Sequence, residues 1–201
     1  MTNATSEKYY ERYGGMPIPP VKDNMEIFEA GNVGVGVEFR VLTDAVVGAM
    51  GLAEIAASNG YPTLDDNGVS LHVFVHTAEG NFERLRFDCF SNDPHYHYLS
   101  VEGKWQDVIH LDANVAGDPV AWALTMLRTR LVPMLLRAEV DDAAMLVDHA
   151  RLERILPLVS EAAFRARFNT AKEGIEQAAM ARGKHKWDTS EQRDWEAHSQ
   201  L

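Results

Sequence analysis

The hydrophobic pattern of this chain changes period once its β-rich part is over, near Gly117, and that change sets the fold class. From Val69 to Asp112 apolar and polar residues alternate, the two-residue period of strands with unlike faces. Beyond Gly117 apolar residues recur at helical spacing, so that Val120, Leu124, Leu127 and Leu131 fall on one face. Strands followed by helices predict an α+β fold, an antiparallel sheet packed on one face by C-terminal helices.

Turn chemistry divides the β region. Val69 to Thr77 and Phe82 to Phe90 read as a hairpin around Ala78-Glu79-Gly80-Asn81, and Ser91-Asn92-Asp93-Pro94 as a turn. His95 to Val101 and Lys104 to Asp112 read as a second hairpin around the pair Glu102-Gly103. Upstream, within residues 25–42, Val33, Val35, Val37, Phe39 and Val41 alternate with Gly34, Gly36, Glu38 and Arg40. Thr43 and Asp44 offer caps for a helix from Ala45 to Ser58, ended by Asn59-Gly60. Asp118-Pro119 opens a helix that Pro133 should bend or end between Leu131 and Leu135. A second is expected from Asp141 to a break at Pro157, and a third from Leu158 to Arg182, closed by Gly183.

A length of 201 residues suits one domain with extensions. The division is an N-terminal arm over 1–24, a single α+β domain over 25–183 and a C-terminal tail over 184–201. The arm carries Tyr9, Tyr10 and Tyr13, then Pro17, Pro19 and Pro20, which favour an extended chain. The tail is polar yet holds Trp187 and Trp195. Aromatic side chains on polar arms are good docking anchors. Tyr9, Tyr10, Tyr13, Trp187 and Trp195 are therefore the candidate interface, and another protein chain, in a hetero- or homo-oligomer, is the expected partner. Trimming both arms is expected to weaken assembly and leave residues 25–183 folded.

The net charge of -11 argues against nucleic acid and against an anionic membrane surface as partners. One cysteine, Cys89, allows no intrachain disulfide, and no apolar run reads as a signal or a membrane span. The cytoplasm is the expected location.

The second hairpin carries the most specific chemistry. Counting outward from Glu102-Gly103, Val101 faces Lys104, Leu99 faces Gln106, His97 faces Val108 and His95 faces His110. Opposed residues project from one side with β-carbons about 4.5–5.5 Å apart, so His95, His97 and His110 share a face. Three imidazoles are a ligand set for one transition metal, zinc or iron foremost. Tyr96, Tyr98, Trp105, Ile109 and Leu111 form the core face. His72 and His76 share a face of the preceding strand, with Phe74 between them. The spacing of His95, His97 and Glu102 resembles the first metal motif of cupins, and that of His110 and Asn114 resembles the end of their second. Cys89 stands where that motif wants glycine, and seven residues between Glu102 and His110 are too few for two distant strand pairs of a jelly roll, so the resemblance is set aside.

Gly31, Gly34 and Gly36 read as strand glycines where other atoms come close, since no helix follows as a phosphate loop requires. Cys89 alternates in phase with Leu85 and Phe87 and points to the core; Arg84, Arg86 and Asp88 fall on the other face, read as an outer face in solvent or a carboxylate-binding set. No dinucleotide, zincin or serine-nucleophile fingerprint is present. The leading functional expectation is an accessory or structural subunit of a larger enzyme assembly. The alternatives are a small metal-dependent enzyme or metal-binding protein using the histidine face, and a binder of a small, partly apolar ligand.

Overall fold

A computed structural model describes residues 9–58, 63–169 and 174. In chain order the elements are β1 (Tyr10–Gly14), a 3-10 turn (Lys22–Asn24), β2 (Glu26–Ala30), β3 (Val33–Thr43), α1 (Asp44–Ala49), α2 (Ala53–Ser58), β4 (Asp65–Thr77), β5 (Gly80–Phe90), β6 (His95–Leu99), β7 (Trp105–His110), α3 (Ala113–Ala116), α4 (Pro119–Arg137), α5 (Asp141–Met145) and α6 (His149–Asn169). The strands form one antiparallel sheet in the order β1-β7-β6-β5-β4-β3-β2. The fold is α+β, as the change of period predicts.

One face of the sheet is the apolar core. Val35 and Val37 of β3, Leu71 and Val73 of β4, and Leu85 and Phe87 of β5 pack there against Leu127, Leu131 and Leu135 of α4 and Leu152, Leu156 and Val159 of α6. Tyr96 and Tyr98 join this layer, beside Phe87 and Trp122. None of the described helices is long and apolar enough to cross a membrane.

The leading arm is part of the sheet. Tyr10–Gly14 pair with β7 at one edge, while β2 forms the opposite edge. Residues 15–25 must therefore cross the sheet from edge to edge. Six strand spacings are about 29 Å, and eleven fully extended residues would reach about 36 Å, so little slack is left and the chain must run largely extended up to the 3-10 turn at Lys22–Asn24. The prolines at 17, 19 and 20 suit that role. The crossing lies on the face opposite the helices, where the Ile18 carbonyl accepts from Arg40 and Arg86.

Several local expectations are corrected. The helix expected from Ala45 to Ser58 is two short ones, because Gly51 takes a φ of +73° that interrupts it. Pro133 lies inside α4 and Pro157 inside α6; neither ends its helix. Both prolines are exposed, so the carbonyls they leave unbonded face water and local chemistry gives way to packing on the inner side. The helix starting at Asp141 is only five residues long, and α6 starts at His149, not Leu158. Its expected end near Arg182 lies outside the described residues. The loop of the first hairpin is Ala78-Glu79 alone, and Gly31 is a turn glycine between β2 and β3 with a φ of +77°.

Candidate metal centre

The second face of the sheet is polar and yet buried. Glu38 and Arg40 of β3, Ser70 and His72 of β4, Arg86 and Asp88 of β5, and His95 and His97 of β6 are all less than a tenth exposed. Residues 17–21 lie over part of this layer. Arg40 Nη2 donates to the carbonyls of Ile18 and Pro19 at 2.9 and 3.0 Å, and Val21 N–H donates to Glu38 at 3.0 Å. Arg84, Arg86 and Asp88 are thus not an outer face in solvent.

A β-bulge brings one further acid into this layer. Pairing between β4 and β5 shifts between Val73 and Phe74, so Val73 faces Leu85 while Phe74 faces Glu83. Strict alternation would put Glu83 with Leu85 in the apolar core; the extra residue turns it to the polar face. Arg84 absorbs the irregularity, with its guanidinium over Phe82 and Nη1 donating to the Ser100 carbonyl at 3.3 Å. Glu83 then accepts two bonds from Arg86, Nε to Oε1 and Nη2 to Oε2, both 2.7 Å. His72 Nδ1 adds a contact to Glu83 Oε1 at 2.6 Å. Burial opposes the Glu83 charge, but Arg86 and His72 outweigh it and hold the carboxyl far below its ordinary value. His72 Nε2 lies 3.4 Å from Glu38 Oε2, and neither atom has a hydrogen bond among the described residues. Burial disfavours a charged His72, yet its two glutamates prevail and raise its pKa.

The histidine cluster lies beside this network. The register is as counted: His95 faces His110, His97 faces Val108 and Leu99 faces Gln106. The loop itself is wider than Glu102-Gly103. Ser100 N–H bonds to the Trp105 carbonyl and Gly103 N–H to the Ser100 carbonyl, so Val101–Lys104 form a four-residue loop. Widening by one residue on each side leaves the register unchanged. Across the Ser91–Pro94 turn, Asp88 faces His95 and Arg86 faces His97. That turn is shaped by Asp66, whose carboxylate accepts from the N–H groups of Ser91, Asn92 and Asp93 at 2.8–3.2 Å.

Hydrogen bonding at the outer ring nitrogens fixes what the inner ones present. His95 Nδ1 donates to the Asp93 carbonyl at 2.7 Å, and His97 Nδ1 to Gln106 Oε1 at 2.8 Å. In neutral rings with these tautomers both Nε2 atoms carry lone pairs; with a proton at Nε2, His97 instead donates to Asp88 Oδ2 at 3.1 Å. Both Nε2 atoms face Asp88 Oδ2, at 3.5 Å from His95 and 3.1 Å from His97. Two ligand atoms each about 2.1 Å from one ion, 90–110° apart, lie about 3.0–3.4 Å from each other. The three atoms all fall within 4.8 Å of one another. Asp88 Oδ1 accepts from the Ser70 hydroxyl, which orients the carboxylate. Burial drives His97 down to about 4, so the ring is neutral at pH 7. Burial also works against the Asp88 charge, but its contact with His97 and the Arg40 and Arg86 charges keep it well below the ordinary carboxylate range. Asp93, His95 and His110 form a second, partly exposed group sharing His95. In it His110 Nδ1 lies 2.7 Å from Asp93 Oδ1, an interaction that raises the His110 pKa.

A cavity of about 210 Å³ opens over the first group. Its floor includes Asp88, His95 and His97, its charged side Arg40 and Arg86, and its walls Pro17, Ile18, Leu42, Leu64 and Phe90. The three expected histidines therefore come together, but as two His–Asp groups joined at His95, and only His95 and His97 line the cavity. His72 is buried between its glutamates, while His76 bonds to Glu29 and Asn81 away from the cluster. Cys89 packs against the core, and burial pushes its thiol well up. Tyr10 and Tyr13 belong to β1 and Tyr9 directly precedes it; Tyr10 donates to Asp107 at 3.0 Å. Trp187 and Trp195 lie outside the described residues. Counting across the Ser91–Pro94 turn puts Asp88 on the face of the histidines but opposite His97, two residues from its observed partner His95; nothing in the alternation signals Glu83.

Residues 27–163 match the family described as a domain of unknown function, DUF7700, and the chain belongs to that family. No curated protein and no solved structure matches it.

Proposed function

We propose that this member of the DUF7700 family is a metal-dependent enzyme acting on a small molecule, with one zinc or iron ion held by Asp88, His95 and His97. One observation carries the reading: two imidazole Nε2 lone pairs and a carboxylate oxygen converge at 3.1 and 3.5 Å, each ring oriented by an acceptor at Nδ1. Metal-bound histidines are held in this way, the outer N–H fixing the tautomer and the aim of the ring. Two histidines and one carboxylate leave coordination positions open for water or substrate, the arrangement of catalytic zinc and non-haem iron sites. The cavity over the cluster supplies room for that substrate.

Elemental analysis of the purified chain tests this. The expected content is close to one zinc or iron per chain, lost in Asp88→Asn and in His97→Gln while the circular dichroism spectrum is kept. Equal metal content in wild type and both variants would reject the site.

The reading as an accessory subunit draws its remaining support from exposure. Tyr9 and Tyr10 are about half exposed, and Met145, Leu146 and Phe168 more so. Tyr10 and Tyr13 belong to β1, so on this reading a partner would meet them at the edge of the sheet. Solution mass measured over a hundredfold range of concentration distinguishes the two: a constant monomer counts against self-assembly.

A further inference from the structure

Building on the metal reading, we infer that the cavity binds a small carboxylate, one oxygen on the ion and the other on Arg40. Arg40 is 4% exposed and lines the cavity. Its Nη2 is used by the Ile18 and Pro19 carbonyls. Its Nε and Nη1 form ion pairs with Glu38 Oε2 and Asp88 Oδ1 at 3.6 and 3.9 Å, both beyond hydrogen-bond reach, and no hydrogen bond from Nη1 is made among the described residues. The other oxygen of the Asp88 carboxylate faces the two histidines. Arg40 and the two histidines thus flank the two oxygens of Asp88, and all four residues line the cavity. A carboxylate is matched to such a pair, since one of its oxygens ligates while the other accepts a charge-assisted hydrogen bond.

The cavity limits the rest of the ligand. An apolar hole of about 150 Å³ takes benzene, so about 210 Å³ holds a body of comparable size with its carboxylate. Pro17, Ile18, Leu42, Leu64 and Phe90 make that body apolar. Asp65, Asp66 and Asp93 stand at the same cavity and repel phosphate esters and dicarboxylates.

The test uses the full chain loaded with cobalt(II), whose visible spectrum reports its ligands. Butyrate, butanol and inorganic phosphate are titrated separately. Butyrate is expected to change the spectrum saturably, and butanol and phosphate to leave it unchanged. Arg40→Met should keep its cobalt and bind butyrate at least about tenfold more weakly. Butyrate without effect on a cobalt-loaded chain overturns the carboxylate inference and leaves the metal reading standing. So does phosphate or butanol matching butyrate, or Arg40→Met binding as wild type. Failure to take up cobalt overturns both. If Arg40→Met does not fold, the comparison of the three probes on wild type decides.

Discussion

Glu83 shows how one side chain in the wrong phase can hold a layer together. It is bonded twice by Arg86 and once by His72, all three fully buried. Glu83→Gln leaves Arg86 charged without its counter-ion, a change that costs about 3–5 kcal/mol in buried pairs. The pH dependence follows from the direction of each shift. The Glu83 pKa is depressed on folding, so its contribution is complete above the ordinary value of 4.5 and declines as pH falls below it. The His72 pKa is raised, so its contribution is complete below 6.5 and is lost as pH climbs above it. Urea titrations of wild type, Glu83→Gln and His72→Gln at pH 3, 6 and 9 should show the first difference shrinking at pH 3 and the second at pH 9. At this scale the sequence was partly legible. His110 and Val108, the partners of His95 and His97 on β7, follow from counting back from the Glu102-Gly103 turn, whereas the pairing with Asp88 and Arg86 is shifted by two residues at the Ser91–Pro94 turn and Glu83 depends on a bulge that alternation does not encode.

Among the elements, the two long helices each carry a proline that local chemistry reads as a stop. In α6 the Pro157 ring removes the N–H that would bond to the Glu153 carbonyl, yet Leu156 and Val159 on either side are buried against the sheet. Burial of that stripe outweighs the missing bond. Pro157→Ala should restore the bond at an exposed position and stabilise by about 1–3 kcal/mol, raising the melting temperature by about 2–4 °C per kcal/mol. A lower melting temperature would show that the ring packs usefully where it stands. The strands were more legible than the helix ends because alternation reports sheet faces directly, and a loop widened symmetrically, as at Val101–Lys104, does not disturb the pairing count. The ends of helices are set by what packs beneath them, which a proline two residues away does not reveal.

For the whole molecule, the arm is the feature whose place in the sheet composition does not reveal. Its tyrosines suggest docking on another chain, and its prolines an extended path. Residues 10–14 form the edge of the sheet, and residues 17–21 satisfy Arg40, Arg86 and Glu38. Removing residues 1–24 should therefore destabilise the domain itself, by on the order of 3 kcal/mol or more from charged hydrogen bonds alone. A shortened chain that melts with the full one would contradict this. The same crossing roofs the cavity over Asp88, His95 and His97, so fold and candidate site stand or fall together. The most direct test is an anomalous-scattering map at the zinc or iron edge from crystals of the metal-loaded protein. The account predicts one peak about 2.0–2.2 Å from His95 Nε2, His97 Nε2 and an Asp88 oxygen. A peak between Asp93 and His110 alone, or no peak at these three atoms in crystals of the metal-soaked protein, would contradict it.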